Sequence, residues 1–256
     1  MNRIEQLFKT KKNNILSIYF TAGHPTLDST VEIIKTLVEE GTDLIEIGIP
    51  FSDPIADGPV IQKSSQTSLE NGMSLKLLFE HIKDIRKDVN IPLILMGYLN
   101  PVLQYGIETF CKKCNDVGID GTILPDLPFD IYQEEYESIF DKHNIYNIFL
   151  ITPQTNDERI RKIDNASKGF IYMVAASATT GIRQGFEEYQ QDYFIRIEKL
   201  GLKHPRLIGF GISSRETFQH ACKYANGAII GSAFVSALEE ASDLKKGVQG
   251  FIRNIQ

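Results

Sequence analysis

Short apolar runs alternate along the chain with longer stretches in which apolar residues recur every three or four positions. The runs Ile15–Thr21, Leu44–Ile49, Ile91–Tyr98, Gly121–Leu124, Tyr146–Ile151, Phe170–Ala175, Leu207–Gly211 and Ala228–Gly231 read as eight strands. Between them, Val31, Ile34, Leu37 and Val38 share one helical face that Gly41 closes. Leu75, Leu78, Phe79, Ile82 and Ile85 form another, with Ser74 in the N-cap position. Ile107, Phe110, Cys111 and Cys114 repeat the pattern, and Leu244, Val248, Phe251 and Ile255 end the chain with it. Strands alternating with helices predict βαβ units and a parallel sheet. Eight such units in 256 residues, with no Pro/Gly-rich linker, predict one α/β domain over 1–256, a (β/α)8 TIM barrel. An open doubly wound sheet is the alternative, but no GxGxxG turn follows the first strand.

Two connections are long: Pro50 to Gly72 after the second strand, and Ala176 to about Phe186 after the sixth. In a barrel both leave the C-terminal face, where active sites are built. In the second strand, period-two alternation turns Ile45, Ile47 and Ile49 to one face and Leu44, Glu46 and Gly48 to the other. With the aliphatics packed outward against helices, Glu46 points into the barrel. A carboxylate there is either paired with barrel polar groups or used as a general acid or base with a raised pKa. The following loop holds Asp53 and Asp57; each suits turn formation or capping, and Asp57 could instead face Glu46 across a substrate. Gly209-Phe210-Gly211 and Gly231-Ser232 end the seventh and eighth strands, where barrels bind phosphate with backbone N–H groups. Gly181, after the sixth strand, is a third candidate wall.

Composition narrows the function classes. The chain has 27 basic and 33 acidic side chains, a net charge of −6, and no basic cluster suited to nucleic acid. No apolar run is long enough to cross a membrane. Lys9, Lys11 and Lys12 interrupt Met1 to Tyr19, which therefore does not read as a signal peptide. Three cysteines suit a reducing cytoplasm. Cys111 and Cys114 have CxxC spacing, but they lie on a helical face without a second pair or a nearby histidine, so no metal site is expected. No lysine lies on a predicted strand, which disfavours a Schiff-base aldolase.

The run Asp43-Leu44-Ile45-Glu46-Ile47-Gly48-Ile49-Pro50-Phe51-Ser52-Asp53-Pro54-Ile55-Ala56-Asp57-Gly58-Pro59 closely resembles the signature of the tryptophan synthase α subunits. Tyr19 to Pro25, Met96 to Pro101, Pro125 to Pro128, Gly209 to Ser213 and Gly231 to Ala233 are similar to segments of that family in the same order. The resemblance implies a barrel that cleaves indole-3-glycerol phosphate to indole and glyceraldehyde 3-phosphate in an α2β2 complex. It implies no cofactor in this chain and pyridoxal phosphate in the β subunit. By the same resemblance Glu46 shuttles protons, Asp57 holds the indole N–H, and Tyr172 is an active-site tyrosine. Thr180, Gly181, Gly209, Gly211, Gly231 and Ser232 fall on phosphate-side positions, and Phe20, Leu99, Leu127 and Phe210 on the indole pocket. Pro50 and Asp53 are implied at the partner interface. Ala178 departs from the family, standing where a glycine is usual. A stand-alone lyase and a non-catalytic barrel that activates a β subunit are the alternatives; retention of Glu46 and Asp57 argues against the second.

Overall fold

A computed structural model describes residues 1–175 and 187–256. Its strands are β1 (Ile15–Thr21), β2 (Leu44–Gly48), β3 (Leu93–Met96), β4 (Gly121–Ile123), β5 (Tyr146–Asn147), β6 (Leu150–Ile151), β7 (Ile171–Val174), β8 (Arg206–Gly209) and β9 (Gly227–Ile230). All pair in parallel, in the order β5-β4-β3-β2-β1-β9-β8-β7-β6. The two ends of that order are the halves of the expected fifth strand. Ile148 N–H donates to the Thr122 carbonyl at 2.8 Å, and Tyr172 N–H donates to the Phe149 carbonyl at 2.9 Å. The break thus hands the strand from one neighbour to the other, and the ring closes as a barrel. The expected sixth strand is β7; the connection after it, with Ala178, Thr180 and Gly181, lies outside the described residues.

Alternation along the strands divides the apolar residues into two layers. Ile15, Leu44, Ile94, Ile123, Tyr172 and Leu207 fill the interior, joined by Ile4 and Phe8 of the helix Arg3–Thr10. That helix plugs the N-terminal end: Asn2 caps it and also donates to the carbonyl of Asp120, just before β4. Ile18, Ile45, Ile47, Leu95 and Ile208 form the outer layer against the helices. Burying each such side chain stabilises the fold by roughly 1.5–3 kcal/mol. Leu44, Glu46 and Gly48 therefore take the inward parity that the pattern predicts, and Glu46 is 0 % exposed.

Local signals account for several helix starts. Ser74 accepts from Leu77 N–H at 3.2 Å as the N-cap of Leu75–Ile82. Within the long connection from Pro50 to Gly72, the helix that the sequence places after Gly58-Pro59 runs over Pro59–Glu70, with Pro59 in its first turn. Its buried face is made largely of Ser64, Ser65 and Ser68, so it carries little apolar periodicity. Hydroxyls replace hydrophobes there: Ser64 and Thr21 are 2.6 Å apart, and Ser68 donates to the Ala22 carbonyl. Cys111 and Cys114 are buried on the helix Ile107–Val117, and burial pushes the Cys111 thiol up to about 12. Among the described residues no His, Cys, Asp and Glu group is arranged to hold a metal, and no helix is long and apolar enough to cross a membrane.

Candidate active site

Glu46 sits midway along β2, paired in register with Tyr19 of β1 and Ile94 of β3. Its Oε1 accepts from the Ser17 hydroxyl at 2.8 Å, and its buried Oε2 has no hydrogen-bond partner. Among the described residues no basic side chain offsets the burial. Loss of solvent pushes the carboxyl up to about 8, with only the Ser17 bond opposing. At neutral pH this group carries a proton and has a free oxygen lobe inside the barrel.

Residues 49–58 bring the second carboxylate to the mouth. Gly58, not Asp57, caps the helix Pro59–Glu70, and no side chain bonds to that helix end. The Asp57 carboxylate instead accepts from the Tyr98 hydroxyl at 2.9 Å. Burial raises its pKa above the ordinary value, and the Tyr98 bond opposes the shift. The same Tyr98 oxygen accepts from Ala56 N–H at 2.9 Å, and its ring stacks on Phe51 at 5.0 Å. Tyr98 therefore clamps this loop at three points. It lies within a segment that the sequence singled out, yet no local signal marks that role.

Two tyrosines cross the interior beside these acids. Tyr19 and Tyr172 are buried, and burial together with the fields of Glu46 and Asp57 raises both phenols, keeping them protonated. Each lies over an inward glycine of the next strand. A Cβ on Gly48 would come within 2.3 Å of the Tyr19 hydroxyl oxygen, and one on Gly209 within 2.1 Å of that of Tyr172. Only glycine leaves room for these rings. Phe210 follows at φ +70°, a left-handed conformation that is costly for a side chain and typical of functional sites. Its ring meets Tyr172 edge-on at 6.3 Å. Gly211 continues in a left-handed turn at φ +78°. Gly231 precedes the helix Ser232–Glu240, and Ser232 is exposed at its first position, where the leading N–H groups have no partner within the helix.

Three expected wall residues lie elsewhere. Phe20 is fully buried in the outer layer with Leu16 and Ile18; the inward residue at that level is Tyr19. Leu127 packs in the outer layer with Phe129, and Leu99 packs against the same layer at the start of the helix Leu99–Tyr105. Both follow their strands, where the chain has turned towards the helices. The interior aliphatics at these levels are Ile123 on β4 and Met96 on β3. Of the two expected partner-facing residues, Asp53 is exposed, beside Ile55 at 88 %, whereas Pro50 is buried and offers little surface. Tyr19, Met96 and Ile123 were legible from strand parity alone.

Comparison with known proteins places this architecture. The model of the tryptophan synthase alpha chain family matches residues 5–256. The tryptophan synthase alpha chain of Flavobacterium johnsoniae is 57% identical over 256 residues, covering 100% of both chains. That of Flavobacterium psychrophilum is 59% identical over 240 residues, 94% of each chain. The crystal structure of the tryptophan synthase alpha chain from Legionella pneumophila subsp. pneumophila superposes with a TM-score of 0.89 at 32% identity, covering 100% of this chain and 96% of that one. With a closed barrel, a buried proton-bearing Glu46 and a clamped Asp57 in place, and with similarity that runs the length of the chain, this protein belongs to the tryptophan synthase alpha chain family.

Proposed function

We propose that Glu46 and Asp57 carry the alpha reaction of tryptophan synthase in this chain. That reaction is the retro-aldol cleavage of indole-3-glycerol phosphate to indole and glyceraldehyde 3-phosphate. The chain is a carbon–carbon lyase of tryptophan biosynthesis that works in a complex with the β subunit; pyridoxal phosphate belongs to that subunit, and the alpha chain works without a cofactor of its own. The reading takes residues 1–256 as one barrel domain and places it in the cytoplasm, in keeping with three free cysteines.

The observation that carries the residue assignment is the Glu46 carboxyl, held in the interior at a pKa of about 8 with one oxygen unpartnered. As an acid it gives its proton to C3 of the indole ring, which leaves the ring nitrogen positive. Asp57, as an anion, accepts the indole N–H and stabilises that charge. Glu46, now a carboxylate, takes the proton of the glycerol hydroxyl as the carbon–carbon bond breaks and the aldehyde forms. The proton count balances and Glu46 is restored. A pKa near the working pH suits a group that must both give and take a proton.

The remaining residues position the substrate. Met96, Ile123 and Leu150 offer inward apolar wall to the indole, with Tyr19, Tyr172 and Phe210 around it. The free N–H groups after Gly231, with Gly209 and Gly211 alongside, take the phosphate, and Thr180 and Gly181 are assigned there on the resemblance alone. The test is indole release from indole-3-glycerol phosphate by the purified chain, alone and with a cognate β subunit. Glu46→Gln is expected to abolish release, and Asp57→Asn to lower turnover more than it weakens phosphate binding. Substantial release by Glu46→Gln would remove Glu46 from the reaction.

A further inference from the structure

At the N-terminal end of the barrel, away from the mouth, a cavity of about 650 Å³ opens beside the helix Arg3–Thr10 and the leading ends of β5, β7, β8 and β9. Lys9, Lys12, Lys168, Lys203 and Arg206 line it, against one carboxylate, Glu5. Five cations facing one anion leave four positive charges in excess, on a chain whose net charge is −6.

Part of this charge is matched within the chain. Lys9 pairs with Glu5 at 2.8 Å, and Lys168 pairs with Asp141. Lys12, Lys203 and Arg206 make no direct ion pair with a carboxylate among the described residues, although Glu198 and Asp164 act on Arg206 at longer range. Lys12 Nζ donates to the Phe8 carbonyl at 2.6 Å, and Lys203 Nζ to Asn165 Oδ1 at 2.8 Å. Arg206 Nε is buried without a hydrogen-bond partner. A buried guanidinium N–H without an acceptor is costly, and it leaves the Arg206 charge incompletely satisfied within the chain.

The walls limit what that anion can be. Phe8, Tyr146 and Pro205 give the cavity apolar surface as well as charge. Its volume falls within the ~300–1,000 Å³ of small-molecule pockets, more than a bare oxyanion fills. We propose that this cavity is a second anion-binding site that takes a small phosphate ester with an apolar body, its phosphate on Arg206, Lys203 and Lys12 and its body against Phe8 and Tyr146.

Calorimetric titration of the full chain with phenyl phosphate tests this. Wild type is expected to bind at two sites, one at the barrel mouth and one here. Arg206→Gln and Lys203→Gln should each weaken the second by about tenfold or more while indole release stays unchanged. Lys203 is exposed, so its variant keeps the test open even if Arg206→Gln fails to fold. Inorganic phosphate should bind the same site more weakly, since it leaves the apolar wall unused. Binding whose affinity neither substitution changes at any site overturns the proposal. Equal affinity for phosphate and phenyl phosphate overturns the ester assignment.

Discussion

Replacing Glu46 by glutamine separates the energetics of the buried carboxyl from its chemistry. The substitution keeps an oxygen acceptor for the Ser17 hydroxyl and removes one titration. The ordinary carboxyl pKa is 4.5, which the unfolded chain shows, whereas burial holds the folded group up to about 8. A folded pKa above the unfolded one means that the native state binds the proton more tightly. The stability this confers is full below the unfolded value and is lost as pH rises through the folded one. At roughly 1.4 kcal/mol per pKa unit, wild type should lose about 2–3 kcal/mol relative to Glu46→Gln between pH 5 and pH 7, and about 4 kcal/mol between pH 5 and pH 9. The assay is urea unfolding of both proteins at the three pH values. Taking their difference at each pH cancels every other titrating group and any fixed cost of the new amide. A difference that stays flat from pH 5 to 9 refutes a proton-bearing Glu46.

Other outcomes follow from the same geometry. Because cleavage needs the protonated form of Glu46, kcat/KM should fall along a basic limb centred near 8, and a profile level across that pH would contradict the acid role. Tyr98→Phe removes the donor to Asp57 and the acceptor for Ala56 N–H, so kcat should drop about tenfold with KM little changed; a loss confined to KM would make Tyr98 a binding group. Gly209→Ala would set a methyl 2.1 Å from the Tyr172 hydroxyl and should cost about 1–3 kcal/mol of stability. An unchanged urea midpoint in that variant would mean that Tyr172 swings aside freely.

Much of the site was legible in strand parity. The alternation Leu44, Glu46, Gly48 against Ile45, Ile47 placed a carboxyl inside the barrel before any fold was known. The same rule, applied to β1, puts Phe20 with Leu16 and Ile18 and turns Tyr19 inward with Ser17, which corrects the residue assigned by resemblance. Parity ends where a strand ends, and so Leu99 and Leu127 were misplaced. A helix after Gly58-Pro59 was legible from its proline, but its extent to Glu70 was not, because serines, not hydrophobes, mark most of its buried face. Tyr98 escaped for a different reason: its contacts with Ala56 and Asp57 join residues 42 and 41 positions apart, and no local pattern encodes them.

The sequence by itself determined the parallel strands, the alternating helices, the inward parity of Glu46 and the family, since these rest on local periodicity and on a long contiguous motif. Tertiary structure alone decided the chemistry of that carboxyl. Its pKa depends on how completely the ring of strands excludes water and on the lack of a cation beside it among the described residues, and both are set by residues distant along the chain. Ring closure through β5 and β6, the Tyr98 clamp on Asp57 and the cationic cavity at the opposite end likewise come from chain segments that meet only once the barrel has formed.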